Sequence, residues 1–156
     1  MAEADVVAAV LRIRKTYPAG WVDLTGGEPL LQDIGPLVRR LRRSGLKVQV
    51  ETNGRNLRRF AADWLTVSPK PPEYAVRPEY LKKAGEVKLV ASKELRFPIF
   101  RRVRLVFPVE TPILLQLESN SESSRKRALG LLRRSLREGL PNIRLSVQLH
   151  KILGLR

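Results

Sequence analysis

Short apolar runs alternate with stretches of helical period along nearly the whole chain, and no other feature narrows the fold as far. Residues 4–15 read as a helix with Val6, Val7, Val10, Leu11 and Ile13 on its apolar side. Glu3 and Asp5 near its start, and Arg12, Arg14 and Lys15 near its end, complement the helix dipole. Pro18-Ala19-Gly20 breaks the chain, and residues 21–25 (WVDLT) then read as a strand. Asp33 is placed to cap a second helix, in which Ile34, Leu37, Val38 and Leu41 form one stripe and four Arg residues face away. Gly45 ends that helix. Residues 46–51 (LKVQVE), 64–68 (WLTVS), 86–91 (EVKLVA) and 113–117 (ILLQL) read as further strands. A long polar-faced helix is expected over 121–138, with Gly139 after it. Residues 142–149 alternate strictly, so a last strand is expected with Ile143, Leu145, Val147 and Leu149 on one face. Segment 92–111 admits two readings, a helix from about Pro98 or an extra strand at 103–107. Strands separated by helices predict an α/β fold with a mostly parallel sheet and right-handed crossovers.

At 156 residues one domain, 1–156, is the expectation. A chain of this size can bury about 68–70% of the surface that its unfolded form exposes. Its 43% hydrophobic content is too high for a disordered chain. No apolar run approaches the roughly 20 residues needed to cross a bilayer. The acidic start lacks the basic region of a signal peptide, so a cytoplasmic location is expected. The absence of Cys excludes disulfides, thiolate zinc sites, a Cys nucleophile and Cys-ligated iron–sulfur clusters within this sequence. Thirty Lys and Arg against 15 Asp and Glu give a formal charge of +15. Such a surface attracts phosphate, which makes a non-catalytic RNA-binding module a second reading. It is not favoured, because aromatic residues are only 6% of the chain and are not interleaved with the Arg pairs. An anionic small molecule suits the charge as well.

In parallel α/β folds chemistry gathers at the carboxyl ends of the strands. The unusual polar, Gly and Pro residues fall there: Thr25, Gly26, Gly27 and Glu28 after the first strand, then Glu51, Thr52, Asn53 and Gly54, then Ser68, Pro69 and Lys70. Gln116 follows near the end of the fifth strand. A turn explains any one cluster, whereas three in succession predict one site on one rim. Gly26-Gly27 lets the backbone approach a ligand closely, and Glu28 offers a carboxylate to an ammonium group. Glu51 suits the N–H groups of a heterocycle, or else pairs with one of the many Arg residues. Asn53-Gly54 alone is an ordinary turn signal. Ser68 and Lys70, directed by Pro69 and Pro71, suit hydroxyls or a carboxylate. Gln116 either points into the site or is a satisfied buried amide. His150 is the only His, so no multi-His metal site is legible and no metal ligand is assigned.

Together LTGGEPLL at 24–31, VETNG at 50–54, VSPKPP at 67–72, VKLV at 87–90, LLQL at 114–117 and VQLH at 147–150 resemble the radical S-adenosylmethionine superfamily. They resemble most closely its 7-carboxy-7-deazaguanine synthase branch. GGEP occurs across many radical enzymes, while ETNG, SPKPP and the late QLH are more specific to this branch. The resemblance implies a partial (β/α) TIM-type barrel. It implies that Gly26, Gly27 and Glu28 meet the methionine end of S-adenosylmethionine, with Ser68, Pro69, Lys70 and Gln116 lining the rest. It places Thr25, Glu51 and Asn53 against a pterin substrate, with Gln148 and His150 in a closing C-terminal segment. In that family a 5′-deoxyadenosyl radical abstracts hydrogen from 6-carboxytetrahydropterin. The ring contracts to 7-carboxy-7-deazaguanine with loss of ammonia, on the route to queuosine or archaeosine, and magnesium assists.

The family also carries a CxxxCxxC loop upstream of GGEP for a [4Fe–4S] cluster, and this sequence has no Cys. Its start about 20 residues before GGEP predicts that the first strand, the cluster loop and the usual magnesium ligand are missing. Truncation, a separate cluster-bearing subunit and a cluster-free descendant are the three explanations. An exposed sheet edge would invite a homodimer or a partner that supplies the missing part, and a scaffold subunit is a further reading.

Overall fold

The computed structural model describes residues 3–154. Helix α1 (Glu3–Thr16) leads into β1 (Trp21–Leu24), α2 (Gly35–Arg43), β2 (Lys47–Thr52), β3 (Trp64–Val67), α3 (Pro78–Leu81) and β4 (Glu86–Val90). Then come α4 (Phe97–Val106), β5 (Ile113–Gln116), α5 (Glu122–Arg137), β6 (Ile143–Ser146) and α6 (Leu149–Ile152). The strands form one six-stranded sheet in chain order, β1 to β6, and every neighbouring pair is parallel. Strand order equal to chain order, with right-handed crossovers, puts the helices on one face and coils the sheet toward an open (β/α) barrel. Among the described residues no helix is long and apolar enough to cross a membrane.

The register explains which side chains form the core. Val50 lies beside Leu65, Val67 beside Val87, and Leu89 beside Leu115, so one face is a continuous apolar layer. Val38 and Leu41 of α2, Phe97, Phe100 and Val103 of α4, and Ala128 and Leu131 of α5 belong to the same buried cluster. Each large side chain removed from water there contributes about 1.5–3 kcal/mol. The opposite face carries Asp23, Gln49, Glu51, Thr66, Glu86 and Lys88.

Local chemistry sets the element ends. Helix α2 stops where Gly45 takes φ +75°, a conformation that costs a residue with a Cβ. It starts at Gly35, and Asp33 Oδ1 accepts from the Gly35 N–H at 3.0 Å, one residue earlier than a standard cap. Ser121 caps α5 by accepting from the Ser124 N–H. The 92–111 segment resolves as a helix, because Phe97, Phe100 and Val103 share one buried side. The extra strand at 103–107 does not form. Arg104 closes this helix: its fully buried guanidinium donates to the carbonyls of Phe107, Pro108 and Thr111.

The last strand is shorter than the alternation predicts. Strand β6 ends at Ser146, and Leu149 begins α6. β6 is the outermost strand, and among the described residues most of the expected apolar face stays exposed. Leu145, Val147 and Leu149 are 43%, 49% and 59% exposed, and only Ile143 packs on the core. The short helices α3 and α6 and the 3-10 turn at Pro29–Leu31 carry too few residues to show a period in the sequence.

Candidate functional site

The loop after β1 begins with two left-handed residues, Gly26 at φ +87° and Gly27 at φ +51°. A Cβ built on either would meet nothing within 4 Å, so this stretch of backbone lies open to a ligand. Glu28 is also held within the chain. Its Oε1 accepts from the Leu30 N–H at 3.0 Å and from the Thr52 hydroxyl at 2.6 Å, and its Oε2 accepts from the Asn53 N–H at 2.7 Å. The carboxylate is thus occupied by three donors from the chain and ties the first strand-end loop to the second.

The second loop is built around that tie. Thr52 is buried, and its Oγ1 also accepts from the Gly54 N–H at 3.1 Å. Gly54 sits at φ +78° with Val76 and Val67 pressed against it, 3.0 and 3.1 Å from the position of a Cβ. Asn53 Oδ1 accepts from the Arg55 N–H at 2.8 Å, a local turn that uses the side-chain carbonyl. The third loop joins directly, since the Ser68 N–H donates to the Thr52 carbonyl at 2.7 Å. Ser68 and Pro69 are buried while Lys70 is exposed, and Lys70 Nζ donates to Ser68 Oγ at 2.9 Å.

On the far side of the rim the Gln116 carbonyl accepts from the Ala91 N–H at 2.8 Å, and the Gln116 side chain is half-buried. The Leu117 N–H donates to the Ser146 carbonyl at 3.0 Å. Asn120 and Gln148 exchange two hydrogen bonds, 3.0 and 3.1 Å long, and Gln148 Oε1 is buried without a protein donor. Thr25 is exposed at the mouth of the first loop. The side chain of His150 lies outside the described residues. The structure therefore brings Glu28 against Asn53 and Lys70 against Ser68. It sets Gly26, Gly27, Gln116 and Gln148 along the same carboxyl rim without direct contact between them.

The open face of the sheet holds a network that the motif reading passed over. Lys88 Nζ donates to Glu51 Oε2 at 2.6 Å, and each of these side chains is 19% exposed. Gln49 donates to Thr66 Oγ1 at 3.2 Å, and Thr66 donates to Glu86 Oε1 at 2.8 Å. Loss of hydration against the sheet, then the charges of Glu51 and Glu86, raise the Asp23 carboxyl above its ordinary range; Lys88 offsets part of this. The signal was present in the sequence: every second residue of these strands is polar, whereas a parallel sheet covered on both faces reads as continuous apolar runs. Among the described residues no group of three or more His, Asp or Glu is placed to hold a metal ion. With no Cys, this sequence supplies no thiolate ligand for an iron–sulfur cluster.

A 7-carboxy-7-deazaguanine synthase from Synechocystis sp. is 33% identical over 156 residues, which cover 97% of this chain and 70% of the relative. The chain belongs to the 7-carboxy-7-deazaguanine synthase family. A second synthase, from Aquifex aeolicus, is 31% identical over 96% of the chain and 72% of its own length. The crystal structure of QueE from Escherichia coli superposes with a TM-score of 0.72 at 27% identity, over 95% of this chain and 64% of that one. This is the radical S-adenosylmethionine partial barrel that the resemblance implied. No family model matches the chain. The chain thus spans about 70% of these two synthases.

Proposed function

We propose that this chain forms, as one domain, the S-adenosylmethionine- and pterin-binding wall of a carboxydeazaguanine synthase. The observation that carries this reading is the cross-tied rim, in which Glu28 locks the GGEP loop to the ETNG loop and Thr52 locks that loop to Ser68. The open Gly26-Gly27 backbone receives the methionine end of S-adenosylmethionine. Ser68, Pro69, Lys70 and Gln116 line the remainder, with the Lys70 ammonium available to a carboxylate or a hydroxyl. Glu28 serves this cofactor by shaping the loop. Glu51 and Asn53, with Thr25 at the mouth, face the pterin, and Gln148 and His150 belong to the segment that closes over it. The bound cofactor would supply the adenosyl group with which the family abstracts hydrogen.

Radical cleavage needs thiolate ligands for a cluster, and this sequence contains none. By itself the chain is therefore expected not to turn over. The cluster ligands must come from residues outside this sequence. β1 has no strand on its outer side among the described residues, which suits a partner or second copy that extends the sheet there.

Calorimetric titration with S-adenosylmethionine tests the binding assignment. Binding by the wild type and about tenfold or greater weakening in Lys70→Ala are expected, as for loss of one charge-assisted hydrogen bond. Equal affinity in the two proteins, or no binding by the wild type, would contradict it.

A further inference from the structure

Glu51 and Lys88 belong to strands that are not neighbours, because β3 lies between them. Their 2.6 Å contact therefore spans a strand. It can do so because the residue of β3 beside Glu51 is the small Thr66, which is fully buried. Thr66 does not compete for Glu51, since its hydroxyl proton goes to Glu86. Lys88 is thus the group that holds the Glu51 carboxylate among the described residues, and it holds only Oε2. Oε1 and the second lone pair of Oε2 remain as two adjacent acceptors at the floor of the open face.

We propose that Lys88 is a positioning residue, which orients Glu51 to read the 2-amino-4-oxo edge of a pterin and so sets the ring selectivity of the site. The proposal rests on the reading that Glu51 meets the heterocycle. A pterin presents two donors on that edge, the ring N3–H and the exocyclic 2-amino group, and they match two adjacent carboxylate acceptors. A 2,4-dioxopteridine places a carbonyl where the amino group would be, so that two oxygens with no proton between them face each other. A site built to accept an N–H rejects the analogue that lacks it more strongly than shape alone allows. Without Lys88, Glu51 would face Asp23 and Glu86 with no counter-charge on that side, and its two acceptors would lose their fixed direction.

Fluorescence titration of the full chain with 6-carboxypterin and 6-carboxylumazine tests this. The wild type is expected to prefer the pterin by about tenfold or more. Lys88→Met should reduce the preference to within about threefold, Lys88→Arg should retain most of it, and Glu51→Gln should abolish it. If Glu51→Gln removes the preference while Lys88→Met keeps it, the role of Lys88 is overturned and the reading of Glu51 stands. If Glu51→Gln keeps it, or the wild type shows none, the reading of Glu51 falls and this inference falls with it. Equal weakening of both ligands in Lys88→Met and Lys88→Arg, with circular dichroism unchanged, would mark a structural role and overturn the proposal. Should the Met variant fail to fold, Lys88→Gln carries the same comparison.

Discussion

Three hydrogen bonds converge on the Glu28 carboxylate, two of them from the carboxyl end of β2 and the residue after it. Removing it would strand a buried Thr52 hydroxyl and the Asn53 N–H, and each such loss costs about 1–3 kcal/mol. Glu28→Ala is therefore expected to lower stability by about 2–4 kcal/mol in urea denaturation. A variant with unchanged stability would show that the tie is not formed. Asp23 makes a prediction of opposite character. Its raised value means that the folded state keeps a proton that the unfolded chain has already released. Stability then falls as pH rises from the ordinary aspartate value through the raised one. Asp63 behaves in reverse: the Val48 N–H, then Arg42, hold its carboxyl below the ordinary range, so its contribution is present above that range and lost on acidification. Urea midpoints across this acidic window should show Asp23→Asn gaining on the wild type as pH rises, and Asp63→Asn losing most at neutral pH. At this scale the sequence named Glu51 and Glu28 as site groups but could not show that Glu28 also ties two strand-end loops together. Three donors from two loops meet only after folding.

At the scale of elements, what could be read depended on how many repeats of a pattern an element contains. Helix α5 spans 16 residues, and both its cap Ser121 and its end at Gly139 are legible. Strands β1 to β5 fall within one residue of their expected bounds. Segment 92–111 stayed ambiguous because Val103 to Phe107 suits either period, and the pairing of Arg104 with three carbonyls only becomes visible in the fold. Those bonds set a further expectation. Arg104→Ala leaves the Phe107, Pro108 and Thr111 carbonyls unpaired and opens a buried space. It should cost about 3 kcal/mol or more, read as a lowered thermal midpoint. A midpoint equal to the wild type would mean that water satisfies those carbonyls as well as the guanidinium does. The β6 pattern misled for a different reason. Alternation announces two faces but does not say whether a neighbour exists to cover the apolar one, and among the described residues Leu145, Val147 and Leu149 stay exposed at the edge of this sheet.

For the molecule as a whole, six parallel strands in chain order gather the strand-end loops along one rim and leave the other sheet face open and polar. Part of the +15 charge lies away from that rim. A hollow of about 510 Å³ lined by Arg39, Arg42, Arg43 and Lys47 lies at the amino-terminal end of β2, at the opposite edge of the sheet. The fold and the family were legible because motif order survives in the sequence. The network on the open face was less so, because Asp23, Glu51 and Lys88 are joined by register across strands rather than by spacing along the chain. Hydrogen–deuterium exchange of the whole chain, with and without saturating S-adenosylmethionine, tests the rim assignment most directly. Slower exchange is expected at amides 26–28, 52–54, 68, 70 and 116–118, with no protection gained at 39–47. Protection confined to 39–47, or an unchanged exchange pattern at all four strand-end loops, would contradict it.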